Sequence, residues 1–173
     1  SSLQAVFDQG TNVGILAQEL FLDGVDASPE NHFKMIESVE KTLDFISKGE
    51  TIIYEATFLY NDVIAALDIL VKDDEGWKAY EVKSSTKVSD TYIKDAAIQY
   101  YTITNSGIDL KDISIVHINN QYTKDGELDI NELFTIESVY DQVLEFIPRI
   151  PNEVSRLKSV IENPEVPQKE IGP

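Results

Sequence analysis

Three charged residues lie within two apolar segments that are typical of neighbouring β-strands. Asp68 stands in the run AALDIL with apolar residues on both sides, and Glu81 and Lys83 are separated by a single valine in YEVKS. Because side chains alternate between the two faces of a strand, Glu81 and Lys83 emerge on the same side, about 7 Å apart. If the two strands pair across the polar turn at 73–76, all three charged side chains converge on one spot.

Two carboxylates and an ammonium group in one place have a definite chemistry. Carboxylates that are held close together repel each other and have raised pKa values, unless a hard divalent cation such as Mg²⁺ or Mn²⁺ lies between them. A bound cation activates water and neutralises charge on a phosphodiester, while a nearby ammonium group positions the nucleophile or stabilises the transition state. These residue types therefore indicate a metal-dependent nuclease.

Spacing alone leaves an ordinary structural interpretation open. In a chain with 31 acidic residues, an Asp followed later by Glu-x-Lys arises by chance, and Asp68 could form a salt bridge with Lys83 on the solvated face of an antiparallel sheet. The surroundings of Asp68 favour the functional interpretation. A carboxylate within an apolar strand is costly unless it is paired or bound to a metal, and AALDIL contains no other polar residue.

The sequence predicts an α/β fold with a central mixed sheet of about four strands flanked by helices. Three antiparallel strands are predicted first, and strict alternation on the second of them places Asp68 on the same face as Ala66 and Leu70. The fourth strand follows a helix, so the crossover rule adds it to the sheet in parallel. The predicted strands are 52–60, 63–72, 77–84 and 113–122.

Helices are predicted from apolar residues at helical spacing and from residues that favour helix ends. They cover 7–22, 31–48, 90–105, 137–146 and 152–161. The helix at 31–48 has an apolar stripe that is expected to face the core. This stripe consists of Phe33, Ile36, Val39, Leu43 and Ile46.

Composition limits the possible classes of protein. The chain has 173 residues, of which 42% are hydrophobic, so one substantial core and a single domain over 1–163 are expected. Three prolines in 164–173 favour a linker toward a further C-terminal region. The absence of cysteine excludes disulfides, zinc ribbons and an iron-sulfur site in this sequence. No apolar run is long enough to span a membrane, so no membrane partner and a cytoplasmic location are expected.

The charged residues and the segments around them resemble the core of the PD-(D/E)XK nucleases, specifically the RecB-like exonuclease branch. That branch has an acidic residue on one strand, an aspartate on the next, a (D/E)xK motif on the third and a helix that carries a glutamine and a tyrosine. The resemblance extends from Gly14 to about Tyr122. The matching residues are Glu55, Asp68, Glu81, Lys83, Gln99 and Tyr101.

This resemblance implies a restriction-endonuclease-like core and metal-dependent hydrolysis of DNA, by an exonuclease that belongs to a larger DNA repair or defence protein. Asp68, Glu81 and the backbone carbonyl of Val82 would hold Mg²⁺ or Mn²⁺, Glu55 would orient the site or bind a second ion, and Lys83 would be the catalytic lysine. Contacts to DNA would come from Gln99, Tyr101, Gln18 and Ser84. The chain also resembles uncharacterised bacterial RecB-like nucleases, whose longer members continue into a cysteine-rich segment suggestive of an iron-sulfur cluster.

The sequence departs from the RecB-like pattern on the first and third helices. Gln18, four residues after Gly14, stands where the family carries a metal-binding histidine, and an amide is a weaker ligand than imidazole. Tyr101 follows Gln99 by two residues, whereas the family spacing is four, and Asp95 precedes Gln99 by four.

The charge of the chain also opposes the nuclease hypothesis. A net charge of −17 repels phosphate at long range, whereas surfaces that bind nucleic acid are normally basic. Two alternatives therefore stay open. One is a catalytically inactive nuclease-like module for binding or scaffolding, and the other is a metal-free acidic interaction domain.

Overall fold

The computed structural model describes residues 12–123 and 126–150. Within them, six strands form one mixed sheet, and their order across the sheet follows their order along the chain. The strands are β1 (Val25–Asp26), β2 (Ile52–Tyr60), β3 (Val63–Asp73), β4 (Gly76–Val82), β5 (Leu110–Ile118) and β6 (Phe134–Ser138). The predicted α/β class, with a mixed sheet between helices, is confirmed.

The centre of the sheet was predicted correctly and its edges were not. Strands β2, β3 and β4 pair antiparallel, and β5 pairs parallel to β4. Two further strands make the predicted number of about four wrong, because β1 pairs parallel to β2 and β6 pairs antiparallel to β5. With two residues, β1 is too short to show alternation. The predicted helix at 137–146 starts only at 140, because residues 137–138 belong to β6.

Helices pack on both faces of the sheet. They are α1 (Val13–Ala17), α2 (Met35–Ser47), α3 (Asp90–Asn105), α4 (Ile130–Leu133) and α5 (Tyr140–Phe146), with single 3₁₀ turns at Gln18–Leu20, His32–Lys34 and Ile147–Arg149. In the described ranges, no helix has the length and apolar character needed to cross a bilayer. The predicted helix at 152–161 and the linker at 164–173 lie outside the described residues, as do 7–11 of the first predicted helix.

Two buried clusters hold the helices against the sheet. The larger cluster lies between the sheet and helices α2, α3 and α5, and includes Phe58, Leu67 and Ile103, each at most 1% exposed. The smaller cluster joins α1 and α4 to the opposite face of the sheet around Ile69 and Val116. The central strands are therefore covered on both sides, as expected for a sheet whose strands carry long apolar runs.

Three residues of the predicted apolar stripe of α2 do not face the core, whereas Ile46 at its C-terminal end packs against the larger cluster as predicted. Phe33, Ile36 and Leu43 are 85%, 52% and 50% exposed, and the fully buried side chains of this helix are Ser38 and Thr42. This part of the prediction is wrong. Hydroxyl groups that are hydrogen-bonded to the strand beneath can be buried at little cost, and apolar periodicity does not detect such a face.

The regular alternation of side chains breaks where two central strands carry an acid. Leu67 and Leu70 are three residues apart on β3 and still belong to the same buried cluster, as do Ile53 and Ala56 on β2. The interruption lies at Asp68 and, opposite it, at Glu55, whose φ of +57° is in the left-handed region. The strict alternation that grouped Asp68 with both Ala66 and Leu70 is therefore wrong.

Candidate active site

Three carboxylates form a row across β2, β3 and β4. In the antiparallel register of the sheet, Glu55 stands opposite Asp68, and Asp68 stands opposite Glu81. The pairs that fix this register are Tyr54 with Ile69 and Ala56 with Leu67 between β2 and β3, and Ile69 with Tyr80 between β3 and β4. Neighbouring strands lie about 5 Å apart, so the three acids are close enough to interact.

Asp68 is fixed to the strand that carries the other two predicted catalytic residues. Its Oδ2 accepts a hydrogen bond of 2.7 Å from the backbone N–H of Val82. Helix α1 approaches from the other side, since a Cβ atom added at Gly14 would lie 3.7 Å from Asp68 Oδ1. Position 14 of α1 is therefore in van der Waals range of this carboxylate.

Glu81 is a buried acid whose carboxyl group accepts a hydrogen bond from the side-chain amide of Gln99. It is only 8% exposed, and its Oε2 accepts a hydrogen bond of 2.9 Å from Gln99 Nε2, which also donates to the carbonyl of Ala66 at 3.1 Å. Burial raises the pKa of Glu81 well above its ordinary value, and hydrogen bonding to Asp68 and the charge of Asp68 raise it further. Lys83 and Gln99 oppose this rise without cancelling it. Glu81 and Asp68 thus form the close pair of carboxyl groups that the sequence predicted.

The ammonium group of Lys83 is held by α3. Its Nζ lies 3.0 Å from Asp95 Oδ2 and 4.9 Å from the centre of the Tyr92 ring. Burial lowers the pKa of Lys83, but the hydrogen bond to Asp95 and the negative charges nearby outweigh this effect and raise it overall. Lys83 therefore carries a positive charge beside the carboxylates, and its ion-pair partner is Asp95.

A cavity of about 250 Å³ connects these groups. Its polar wall consists of Glu81, Lys83, Asp95 and Gln99, and its apolar wall comes from the start of β3 and from α3 through Ile64, Ala65, Ala66 and Ile98. The cavity thus presents a carboxyl group, an ammonium group and an amide to the same small volume.

Glu55 completes the row from β2. The residue is half-buried, and burial raises the pKa of its carboxyl group to about 7, with further contributions from the charges of Asp68 and Asp26. A glutamate with a positive φ is strained by roughly 1 to 2 kcal/mol, so the surrounding structure must hold it in place.

The remaining predicted residues lie at different distances from the cavity. Gln99 lines it, whereas Tyr101 packs edge-on against Tyr60 with 5.7 Å between ring centres and is not among the lining residues. Ser84 is exposed in the link after β4. Gln18 is half-buried in its 3₁₀ turn, and within residues 12–123 and 126–150 its side chain makes no hydrogen bond to the three acids.

Sequence reasoning missed two residues of this site. Tyr92 contributes the ring beneath Lys83, and Asp26 adds negative charge beside Glu55. Helical spacing already places Tyr92 on the same face of α3 as Asp95 and Gln99, because residues three or four apart are neighbours on a helix surface, but its contact with Lys83 was not predicted. For Asp26 no such signal exists, since it lies on a two-residue strand.

The oxygen atoms of the site are suited to a hard cation. Among the described residues there is no group of three or more His, Cys, Asp or Glu side chains that could hold a metal ion. Mg²⁺, however, usually retains several waters and binds proteins through one or two carboxylates, which Asp68 and Glu81 can supply. In addition, Gln99 Oε1 is a buried acceptor without a hydrogen-bond partner at the same place. The donor set therefore fits a hydrated divalent cation.

Comparison with known proteins adds no relative to this description. The chain matches no protein-family model, and none of the curated proteins matches its sequence. The candidate site is accordingly defined by the contacts of Asp68, Glu81, Lys83, Asp95 and Gln99.

Proposed function

We propose that this domain hydrolyses phosphodiester bonds in DNA with the help of Mg²⁺ or Mn²⁺. The observation that supports this most strongly is the close carboxyl pair of Asp68 and Glu81, of which the buried Glu81 lines the same cavity as the ammonium group of Lys83. Cation-assisted phosphodiester cleavage requires acidic ligands for the cation and a positive charge that stabilises the transition state, and two acids and a lysine can supply both.

Each of these residues has a role in the proposed reaction. Asp68, Glu81 and the backbone carbonyl of Val82 would hold the cation, with Glu55 orienting the site or binding a second ion. When bound, the cation activates water and neutralises charge on the phosphate. Lys83 donates hydrogen bonds to the phosphate and stabilises the charge that develops in the transition state.

Residues of α3 prepare Lys83 and Glu81 for these roles. Asp95 and the Tyr92 ring hold the Lys83 ammonium group at the cavity, so the positive charge is in place before substrate arrives. Gln99 links the Glu81 carboxyl group to the backbone of β3 and thereby fixes its orientation.

The finer parts of the proposal come from the order of these residues along the chain. That order is similar to the RecB-like branch of the PD-(D/E)XK nucleases, which suggests a restriction-endonuclease-like core and an exonuclease. The same similarity suggests that the domain belongs to a larger cytoplasmic DNA repair or defence protein, as in the longer members of that branch, which continue into a cysteine-rich segment suggestive of an iron-sulfur cluster. Tyr101, Ser84 and Gln18 are the proposed additional contacts to DNA.

A second candidate function is a nuclease-like module that binds or scaffolds without cleaving. Two observations favour it. Gln18 stands where the RecB-like pattern carries a metal-binding histidine, and the net charge of −17 disfavours approach of a polyanion. The two candidates differ in one measurable property, the cleavage of DNA in the presence of Mn²⁺.

The test uses the full chain and linear duplex and single-stranded DNA with Mn²⁺, Mg²⁺ or EDTA. We expect cleavage with Mn²⁺ and a loss of about 100-fold or more in Lys83→Ala, because the transition state loses its ammonium group. Lys111→Ala is the matched control, since Lys111 is an exposed lysine paired with Asp109 far from the acids in sequence. If Lys83→Ala and the parent chain cleave equally, or neither cleaves, the catalytic proposal is wrong and the non-catalytic module replaces it.

A further inference from the structure

A cluster of buried hydroxyl groups lies between α2 and the strained segment of β2. Ser38 and Thr42 on the helix are completely buried, and Thr57 on the strand is 1% exposed. Hydroxyl groups are rarely buried so completely, and each needs a hydrogen-bond partner where it is. The contacts of the cluster show what it is built to hold.

Two of the three hydroxyl groups contact the backbone of Glu55. Thr57 Oγ1 donates a hydrogen bond of 3.0 Å to the carbonyl of Glu55, and Ser38 Oγ lies 3.4 Å from the same oxygen. Ser38 Oγ also lies 2.7 Å from Thr57 Oγ1 and 2.5 Å from the carbonyl of Ala27, so its contact with Glu55 is the longest of its three and Thr57 is the main support of the Glu55 carbonyl. The Glu55 carbonyl is thereby held by side chains at a position where β2 departs from regular strand geometry.

The third hydroxyl group has a different task. Thr42 Oγ1 donates to the carbonyl of Ser38 at 2.8 Å and accepts from the backbone N–H of Thr57 at 2.9 Å. Thr42 therefore links α2 to β2 by a hydrogen bond, and neither of these two bonds involves Glu55. The cluster therefore contains its own structural control, because Thr42 is equally buried and lies in the same network.

The strained conformation of Glu55 has a consequence for the carboxylate row. A regular strand would continue the alternation through Glu55, whereas here Ile53 and Ala56 both pack into the same buried cluster. The turned backbone at Glu55 accommodates this change, and the Glu55 side chain lies within the electrostatic reach of Asp68. A conformation that most residues avoid needs such support from its surroundings.

We infer that Thr57 and Ser38 are positioning residues for Glu55, whose backbone they hold in the left-handed conformation that brings its carboxyl group to Asp68. The functional side of this inference rests on the proposed function, because it gives Glu55 a place at the cation. The same reasoning explains why α2 buries the hydroxyl groups of Ser38 and Thr42 beside the apolar residues Phe45 and Ile46, which pack against the core.

The first experiment measures the backbone directly and needs no metal. The Cα and Cβ chemical shifts of Glu55 in the labelled full chain report whether its φ is positive. We expect Thr57→Val to move both shifts to extended-strand values, and Thr57→Ser, which keeps the hydroxyl group, to retain those of the parent chain. Thr42→Val should lose stability with unchanged Glu55 shifts. If Thr57→Val leaves the Glu55 shifts unchanged, the inference is wrong, whatever the protein does with metal.

The second experiment measures Mn²⁺ affinity by calorimetry in the same variants. We expect Thr57→Val to bind Mn²⁺ at least about tenfold more weakly than the parent chain, as is usual when a group that orients a ligand is removed, and Thr57→Ser and Thr42→Val to bind within about threefold of it. Equal weakening in Thr42→Val and Thr57→Val would overturn the positioning role in favour of a general loss of packing.

Failure of the inference and failure of the proposed function can be told apart. A parent chain that binds no Mn²⁺ while Thr57→Val still shifts Glu55 would refute the cation site and leave the backbone role intact. If Thr57→Val does not fold, Ser38→Ala replaces it as the milder variant and is expected to move the Glu55 shifts in the same direction, with no movement as the contradicting result.

Discussion

Asp68 Oδ2 accepts a hydrogen bond of 2.7 Å from the backbone N–H of Val82, the residue between Glu81 and Lys83. This single contact ties the acid of β3 to the segment that carries the other two predicted catalytic residues. Because an amide oxygen can also accept from an N–H group, Asp68→Asn can keep the contact while removing the negative charge. That substitution therefore separates the charge of Asp68 from its structural role.

Mn²⁺ should stabilise the folded chain through Asp68 and Glu81. A ligand that binds only the folded state at one hundred times its dissociation constant adds about 2.7 kcal/mol, which corresponds to a rise in Tm of roughly 5 to 10 °C for a domain of this size. We expect Asp68→Asn and Glu81→Gln to lose most of this rise in a thermal-shift titration, because each removes one charged ligand.

The control for this titration is Glu132→Gln. Glu132 lines a separate cavity of about 450 Å³ together with Glu127 and Asp129, so it tests whether any acidic depression on this strongly negative chain gives the same response. An equal rise in Tm for Asp68→Asn and the parent chain would show that Mn²⁺ binds elsewhere.

Asp95→Asn should lower kcat for DNA cleavage by about tenfold or more with little change in KM. The ion pair at 3.0 Å fixes the Lys83 ammonium group beside the carboxylates, and a misplaced catalytic group costs rate even when substrate still binds. Steady-state kinetics on linear DNA with Mn²⁺ would measure this. Asp109→Asn makes the same change of charge in an exposed pair with Lys111 and is expected to have no effect. An unchanged kcat in Asp95→Asn would contradict the positioning of Lys83 by α3.

The stability of the metal-free protein should fall as the pH rises from about 4.5 to about 7. Burial, followed by the charges of Asp68 and Asp26, raises the pKa of Glu55 from 4.5 to about 7 in the folded state. The folded state therefore holds this proton more tightly than the unfolded state, and its loss over that interval destabilises the fold. Since Glu55 is only half-buried, solvent screening reduces the effect to about 1 to 2 kcal/mol.

Glu55→Gln tests this pH dependence. Urea denaturation in EDTA should give a variant that is more stable than the parent chain at pH 8, with a smaller difference at pH 5, because the amide has no proton to lose. Glu145→Gln, at an exposed position on α5, serves as the control and should leave the pH dependence unchanged. A Glu55→Gln variant with the same dependence as the parent chain would show that Glu55 ionises normally.

Leu43→Gln on α2 should change the free energy of unfolding by less than about 0.5 kcal/mol, because Leu43 is 50% exposed. Leu67→Ala, at a fully buried position on β3, should cost about 2 to 5 kcal/mol in the same urea titration. If Leu43→Gln lowered the free energy of unfolding by about 2 kcal/mol or more, Leu43 would belong to the buried face of α2, as the sequence predicted. The burial of Ser38 and Thr42 on that face would then be contradicted.

The central strands and the helix that follows them could be predicted because their signals are local. The predicted bounds of β2, 52–60, agree with the structure, and α3 spans the predicted 90–105. Strand β2 lies in a largely apolar run, and Ser89 caps the helix by accepting from the N–H of Tyr92. The contact between Asp68 and the segment around Glu81 follows from these elements, because it requires only that β3 and β4 pair as a hairpin.

Features that depend on distant parts of the chain could not be predicted in this way. The burial of Ser38 and Thr42 depends on Ala27 and Thr57, which lie elsewhere in the chain and supply their hydrogen-bond partners. The turned backbone at Glu55 depends on the same contacts. Edge strands β1 and β6 have two and five residues, too few for an alternation pattern to stand out from the surrounding sequence.

The carboxylate row is encoded in one continuous stretch of chain, from β2 through β4. Two tight turns join these strands, so their pairing closes only short loops, whereas the parallel pairing of β5 must wait for the longer connection through α3. We therefore expect Glu55, Asp68 and Glu81 to meet first during refolding and α3 to dock afterwards with Gln99 and Asp95. Pulse-labelled hydrogen exchange would follow this order as protection of β3 before β5.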